Sequence, residues 1–120
     1  MPHTDRFLLF VEYFNNGKFM SAQTTLDEDW IDEEGDRKVF LGGLIQVAVS
    51  LYQATNDNPI GASKIYQKAK NMLLPSGEKC EGINLKKLLQ DMDSYFANVE
   101  TEKLTDLEYM KRAPKIAFEG

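Results

Sequence analysis

The chain has 120 residues, 42% of them hydrophobic and 28% charged, with a net charge of −5. This composition excludes global disorder, and the length fits one domain with a real core. The acidic balance excludes general binding to nucleic acid or to anionic membranes.

A first helix is predicted over 4–15, with Phe7, Phe10, Val11 and Phe14 on one face and Thr4 as its cap. Asn15-Asn16-Gly17 reads as its stop, with Gly17 suited to a left-handed turn. A second helix is predicted over 18–32, with Phe19, Ala22, Leu26 and Trp30 as its stripe. Residues 27–36 then hold seven acids: Asp27, Glu28, Asp29, Asp32, Glu33, Glu34 and Asp36. Gly35 suggests a break within that run. The run lacks the ligand spacing of an EF-hand, so it reads as a solvated loop or a docking surface for a basic partner.

The third helix, predicted over 36–55, is apolar on more than one face, as the central helix of a bundle is. Gly42-Gly43 would weaken an isolated helix by roughly 1 kcal/mol per glycine. Such a pair implies that another backbone approaches closely. The longest nearly apolar stretch, 39–52, is too short to span a bilayer and contains Gln46 and Ser50. Asn58 caps a fourth helix over 59–74, with Pro59 in its first turn. Ile60, Ala62, Ile65, Tyr66, Ala69, Met72 and Leu73 are its expected buried residues. Helices three and four form an antiparallel hairpin. Ala62, Tyr66 and Ala69 have the second-helix spacing of a tetratricopeptide unit. Tyr52 lies one residue out of that register and the unit is single, so this reads as general hairpin packing.

Residues 78–83 read as a loop, and no strand is predicted. Asn84 caps a fifth helix over 85–98, with Leu85, Leu88, Leu89, Met92, Tyr95 and Phe96 inside. A thin stripe of Leu104, Leu107 and Met110 predicts a sixth helix over 101–112. The fold class is therefore all-α, a compact bundle of five to six helices with a central apolar helix. The domain spans 1–112, and 113–120 reads as a C-terminal tail.

Several motifs in order carry a family resemblance. They are Phe14-Asn15-Asn16-Gly17-Lys18-Phe19 with Trp30, then Gly43-Leu44-Ile45-Gln46, Ala48, Tyr52, Asn58, Gly61-Ala62 and Leu73, and finally Gly82-Ile83-Asn84. Over 15–89 the chain resembles the bacterial and archaeal family known as domain of unknown function 309. The resemblance implies a helical bundle and brings no established activity. Family members typically carry A-H-E-x-L-E-x-x-W on the second helix. Here those positions read Ala22, Gln23, Thr24, Leu26, Asp27 and Trp30. A His-Glu pair can bind a divalent metal or shuttle a proton. Gln23 cannot titrate and Thr24 is a poor ligand, so that chemistry is not expected here.

Gln23, Asp27 and Trp30 share one helical face. Gln46 is expected to meet that face from helix three, with Trp30 and Tyr52 as a roof. Gln23, Asp27, Trp30, Gln46 and Tyr52 are therefore the candidate ligand-binding residues. The alternative is a buried hydrogen-bond network that fixes helix register. No catalytic residue, metal ligand or cofactor is assigned. Cys80 is the only cysteine and His3 the only histidine, so no disulfide forms within the chain and no zinc site is available from these types. Lys79 beside Cys80 would lower its pKa slightly, but no histidine can activate the thiol. The lone cysteine and the lack of a signal-peptide pattern point to the cytoplasm.

The resulting expectation is a non-enzymatic module that binds a protein partner or forms a homodimer, with no nucleic acid and no membrane. The rival is a small-ligand or metal-dependent pocket on helices two and three. Aromatics exposed near the N-terminus (Phe7, Phe10, Tyr13, Phe14) and in helix five (Tyr95, Phe96) would mark an interface.

Overall fold

The computed structural model describes residues 5–56, 58–99, 108 and 111–119. Its elements run α1 (Asp5–Asn15), α2 (Phe19–Ile31), α3 (Gly35–Thr55), α4 (Pro59–Leu73), a 3-10 turn (Leu74–Ser76), β1 (Lys79–Cys80), β2 (Ile83–Asn84) and α5 (Leu85–Val99). The fold is an all-α bundle. No described helix is long and apolar enough to cross a membrane.

The stops and caps sit where the local chemistry puts them. Gly17 has φ +75° and follows α1 in the left-handed region. Its N–H donates to Phe14 C=O at 3.1 Å, and Lys18 N–H donates to Tyr13 C=O at 2.9 Å. The break between α2 and α3 falls at residues 32–34, and Gly35, with φ +66°, opens α3. Asn58 Oδ1 accepts from Gly61 N–H at 3.3 Å, and Pro59 occupies the first turn of α4. Asn84 Oδ1 accepts from Lys87 N–H at 3.0 Å at the start of α5.

The core gathers one stripe from each outer helix around α3. Phe7, Phe10, Val11 and Phe14 of α1 are buried, as are Phe19, Ala22 and Leu26 of α2. α3 buries residues on every side, from Phe40 to Ala54. Its one buried polar side chain, Ser50, donates to Val47 C=O at 2.7 Å. Ala62, Tyr66, Ala69 and Leu73 of α4 are fully enclosed. The aromatics expected to mark an interface are core instead: Phe7, Phe10, Phe14, Tyr95 and Phe96 are buried, and Tyr13 is half-buried. Ring contacts join Phe10, Phe14 and Phe19 at one place and Tyr66, Tyr95 and Phe96 at another.

The glycine pair explains how α3 and α4 approach. A Cβ on Gly43 would lie 2.7 Å from both Leu73 Cγ and Cδ2, and one on Gly42 would lie 2.8 Å from Met72 Cε. The start of α3 therefore meets the end of α4, which makes the hairpin antiparallel. Side chains of α4, with Met72 Cβ at 3.3 Å from the Gly43 position, fill the space.

Two expectations change. The stretch read as a loop contains a short antiparallel hairpin, with Cys80 opposite Ile83. Its two-residue turn, Glu81-Gly82, has φ +48° and +85°, the signs of a type I′ turn. The stretch read as a tail is packed into the domain over 113–119. Asn15 clamps it: Nδ2 donates to Ile116 C=O at 3.0 Å, and Oδ1 accepts from Ile116 N–H at 2.7 Å. Asn84 N–H donates to Ala117 C=O at 3.1 Å, and Glu119 N–H donates to Gly82 C=O at 2.7 Å. Pro114 and Ile116 are buried there. The predicted sixth helix falls mainly outside the described residues, as does its stripe of Leu104, Leu107 and Met110; Glu108, Lys111 and Arg112 are helical. The proposed cap Thr4 also lies outside them.

Candidate functional site

The structure divides the five candidate residues. Trp30 packs over α3 at Gly42, since a Cβ there would lie 3.2 Å from Trp30 Nε1. Lys38 Nζ sits 4.3 Å from the indole centroid, a cation–π contact. The indole is still 36% exposed, so it is no lid over a closed cavity. One turn back along α2 is Asp27, and one turn on along α3 is Gln46. With antiparallel helices these come to the same level, and both are half-buried, as is Gln23.

No hydrogen bond joins Gln23, Asp27 and Gln46. Burial alone raises the Asp27 carboxyl above its ordinary value, with no donor or cation offsetting it. Tyr52 stands apart. It lies roughly 15 Å along α3 from the level of Gly42, at the helical rise per residue. Its ring packs against the core, and its carbonyl accepts from Thr55 Oγ1 at 2.8 Å and Asn56 Nδ2 at 2.7 Å. Trp30 and Tyr52 therefore do not roof one small pocket. The residues at the family's His-Glu positions do not fit a metal either. Among the described residues no group of three His, Cys, Asp or Glu is placed to hold one.

A larger cavity lies beyond Trp30, at the end of the bundle where α3 begins and α4 ends. Its volume is about 570 Å³. Asp36, Arg37, Val39 and Phe40 line it from α3, and Met72, Pro75, Ser76, Cys80 and Glu81 line it from the end of α4 onward; Val39, Phe40, Met72 and Pro75 make up its apolar wall. Trp30 is not part of its lining, but Trp30 and the lining residue Met72 both approach Gly42. Leu74 is 53% exposed beside Pro75, Val39 is 44% exposed, and Ile31 is 65% exposed at the end of α2.

Arg37 ties the two sides of this groove together. Its Nε and Nη2 donate to Glu81 Oε2 and Oε1 at 3.0 and 2.9 Å, and its Nη1 donates to Glu33 Oε2 at 2.6 Å. The hydrogen bond to Glu81, opposed by burial and aided by Glu33, keeps the guanidinium firmly charged. Glu81 holds a left-handed φ that costs a side-chain-bearing residue roughly 1–2 kcal/mol. The bidentate pair fixes this residue in place. Burial pushes the neighbouring Cys80 thiol up, as does Glu81, against the weaker pull of Ser76 and Arg37. This reverses the small lowering expected from Lys79, and the thiol stays protonated and poorly nucleophilic.

Sequence reasoning named Trp30 but missed this groove. Arg37, directly after the acidic run, was its one visible signal. The other wall comes from a hairpin that sequence periodicity did not reveal.

The fold and the groove define a small helical domain with no recognisable catalytic constellation among its described residues. Residues 7–65 match the family model described as Domain of unknown function (DUF309), which supports assigning the chain to that family. The match begins in α1 and ends in α4, so the Gly82-Ile83-Asn84 turn lies outside it. No curated protein and no solved structure matches the chain.

Proposed function

We propose that this chain is a non-enzymatic protein-interaction module, and that its docking surface is the groove beside Trp30. The observation carrying this reading is the concentration of exposed apolar side chains there. Val39, which lines the groove, is 44% exposed, and Trp30 and Ile31 at the end of α2 and Leu74 directly after α4 are 36%, 65% and 53% exposed. Isolated exposed apolar residues are ordinary, but a group bordering a concave apolar wall is a mark of interfaces.

The rival reading, a small-ligand or metal-dependent pocket at Gln23, Asp27, Trp30, Gln46 and Tyr52, has less support. Its aromatic members are at different levels of α3, and its polar members do not converge through hydrogen bonds.

A random-peptide array probed with the wild-type protein and a Val39→Asp/Leu74→Asp variant tests the proposal. Both positions are exposed, so the variant should melt like the wild type. Peptides held by the wild type and released by the variant are the expected result. An array bound equally by both proteins, or by neither, removes the reading.

A further inference from the structure

We infer that the occupant of this groove is a segment of another protein with an apolar anchor flanked by lysines or arginines; this rests on the interaction reading above. The apolar wall sets the anchor. Val39, Met72 and Pro75 offer no hydrogen-bonding group, so a leucine-like or aromatic side chain fits them best.

The charge around the wall sets the flanks. Asp36 and Glu81 line the groove with Arg37, Glu33 pairs with Arg37, and Asp32 and Glu34 precede Asp36 in the chain, with Lys38 following. The two cations are engaged already. Arg37 is held by Glu33 and Glu81, and Lys38 lies over the Trp30 ring. Glu34 and Asp36 are exposed and form no ion pair with a described residue. The groove thus presents uncompensated negative charge beside an apolar seat, a surface complementary to a basic amphipathic segment.

A second copy of this chain is a poorer occupant. Each copy carries a net charge of −5, and two acidic groove rims would repel.

Three fluorescent peptides test the inference by anisotropy. They share one leucine-bearing apolar face and carry Lys, Gln or Glu on the polar face. The Lys peptide is expected to bind about tenfold tighter than the Gln peptide, equivalent to ~1.4 kcal/mol. The Glu peptide should bind weakest. The preference should fade at about 1 M salt, where the screening length falls to ~3 Å. A Glu34→Lys/Asp36→Lys variant should reverse the order, and Val39→Asp should weaken all three; circular dichroism melts confirm that each variant folds. Equal binding of the three peptides, or a Lys preference that survives the charge reversal, overturns the inference and leaves the interaction reading standing. Failure of every peptide to bind, together with an array that shows no groove-dependent binder, overturns both.

Discussion

Replacing either glycine of α3 by alanine adds one methyl, yet the two sites should respond differently. At Gly43 the new Cβ would lie 2.7 Å from Leu73 Cγ and Cδ2. Cγ is the branch point of a fully buried side chain, so it cannot turn aside; Leu73 as a whole, or the helix, must shift. Overpacking of this kind costs roughly 1–3 kcal/mol, against a gain of about 1 kcal/mol in helix propensity. Gly43→Ala should therefore destabilise by about 1 kcal/mol, with an upper bound near 2. At Gly42 the nearest atom is Met72 Cε, at 2.8 Å. That methyl ends a flexible half-buried chain and can rotate for roughly 0.5–1 kcal/mol. This nearly cancels the propensity gain, so Gly42→Ala should be close to neutral. Urea unfolding with an unchanged slope should place the Gly43→Ala midpoint about 0.5–1 M below that of Gly42→Ala. Trp30 is the only tryptophan, and its Nε1 lies 3.2 Å from the Gly42 position. Its native emission should move in Gly42→Ala and stay put in Gly43→Ala. Coincident midpoints, or the reverse order, would refute the reasoning.

Asn15→Ala removes both hydrogen bonds that clamp Ile116. At about 0.5–1.5 kcal/mol each, their loss should raise amide exchange at Ile116 and Ala117 by tenfold or more, roughly, while α3 stays protected; unchanged exchange there counts against the clamp. Tyr66→Phe should cost about 1–3 kcal/mol, because the buried hydroxyl donates its one proton to Asp93 Oδ1 at 2.6 Å, with Leu89 C=O the alternative acceptor at 3.0 Å. Burial pushes the Asp93 carboxyl up, but Tyr66 and Lys70 outweigh it and the net value is lowered. Its contribution is therefore complete above the ordinary carboxylate pKa, about 3.9, and is lost as pH falls through the lower folded value. Urea midpoints taken across that interval should fall less steeply in Tyr66→Phe than in the wild type, and parallel curves would exclude the linkage. Asp27 has the opposite sign, since burial raises its carboxyl. Its ionised form is a burden above the folded pKa and is relieved on acidification, so Asp27→Asn should melt higher at neutral pH and lose that advantage near about pH 4.

The helices were legible because each buries a stripe with its own period. Phe7, Phe10, Val11 and Phe14 could not all be enclosed in a strand, and Asn58-Pro59 could do little but start a helix. The β-hairpin was not legible, since each strand has two residues and shows no alternation. Its turn is Glu-Gly rather than the Asn-Gly that favours positive φ at both positions. The docked C-terminal segment was hidden for another reason. Its partner, Asn15, lies at the far end of the chain and was fully explained as part of a helix stop. The separation of Tyr52 from Trp30 was not legible, because the sequence does not say which turn of α3 meets Trp30.

The family match sharpens where this chain's own character resides. One wall of the groove, from Asp36 to Phe40, falls within residues 7–65, as does Trp30. The facing residues, Met72, Pro75, Ser76, Cys80 and Glu81, all follow it. Arg37 joins the two sets, spanning from the start of α3 to the strained turn of the hairpin. The groove therefore exists only when the matched segment and the following hairpin are assembled together. A change at Glu81 would alter the rim's charge and release Arg37 without touching the matched segment. The charge of this groove is therefore set in part by the hairpin, outside the matched segment that builds most of the bundle.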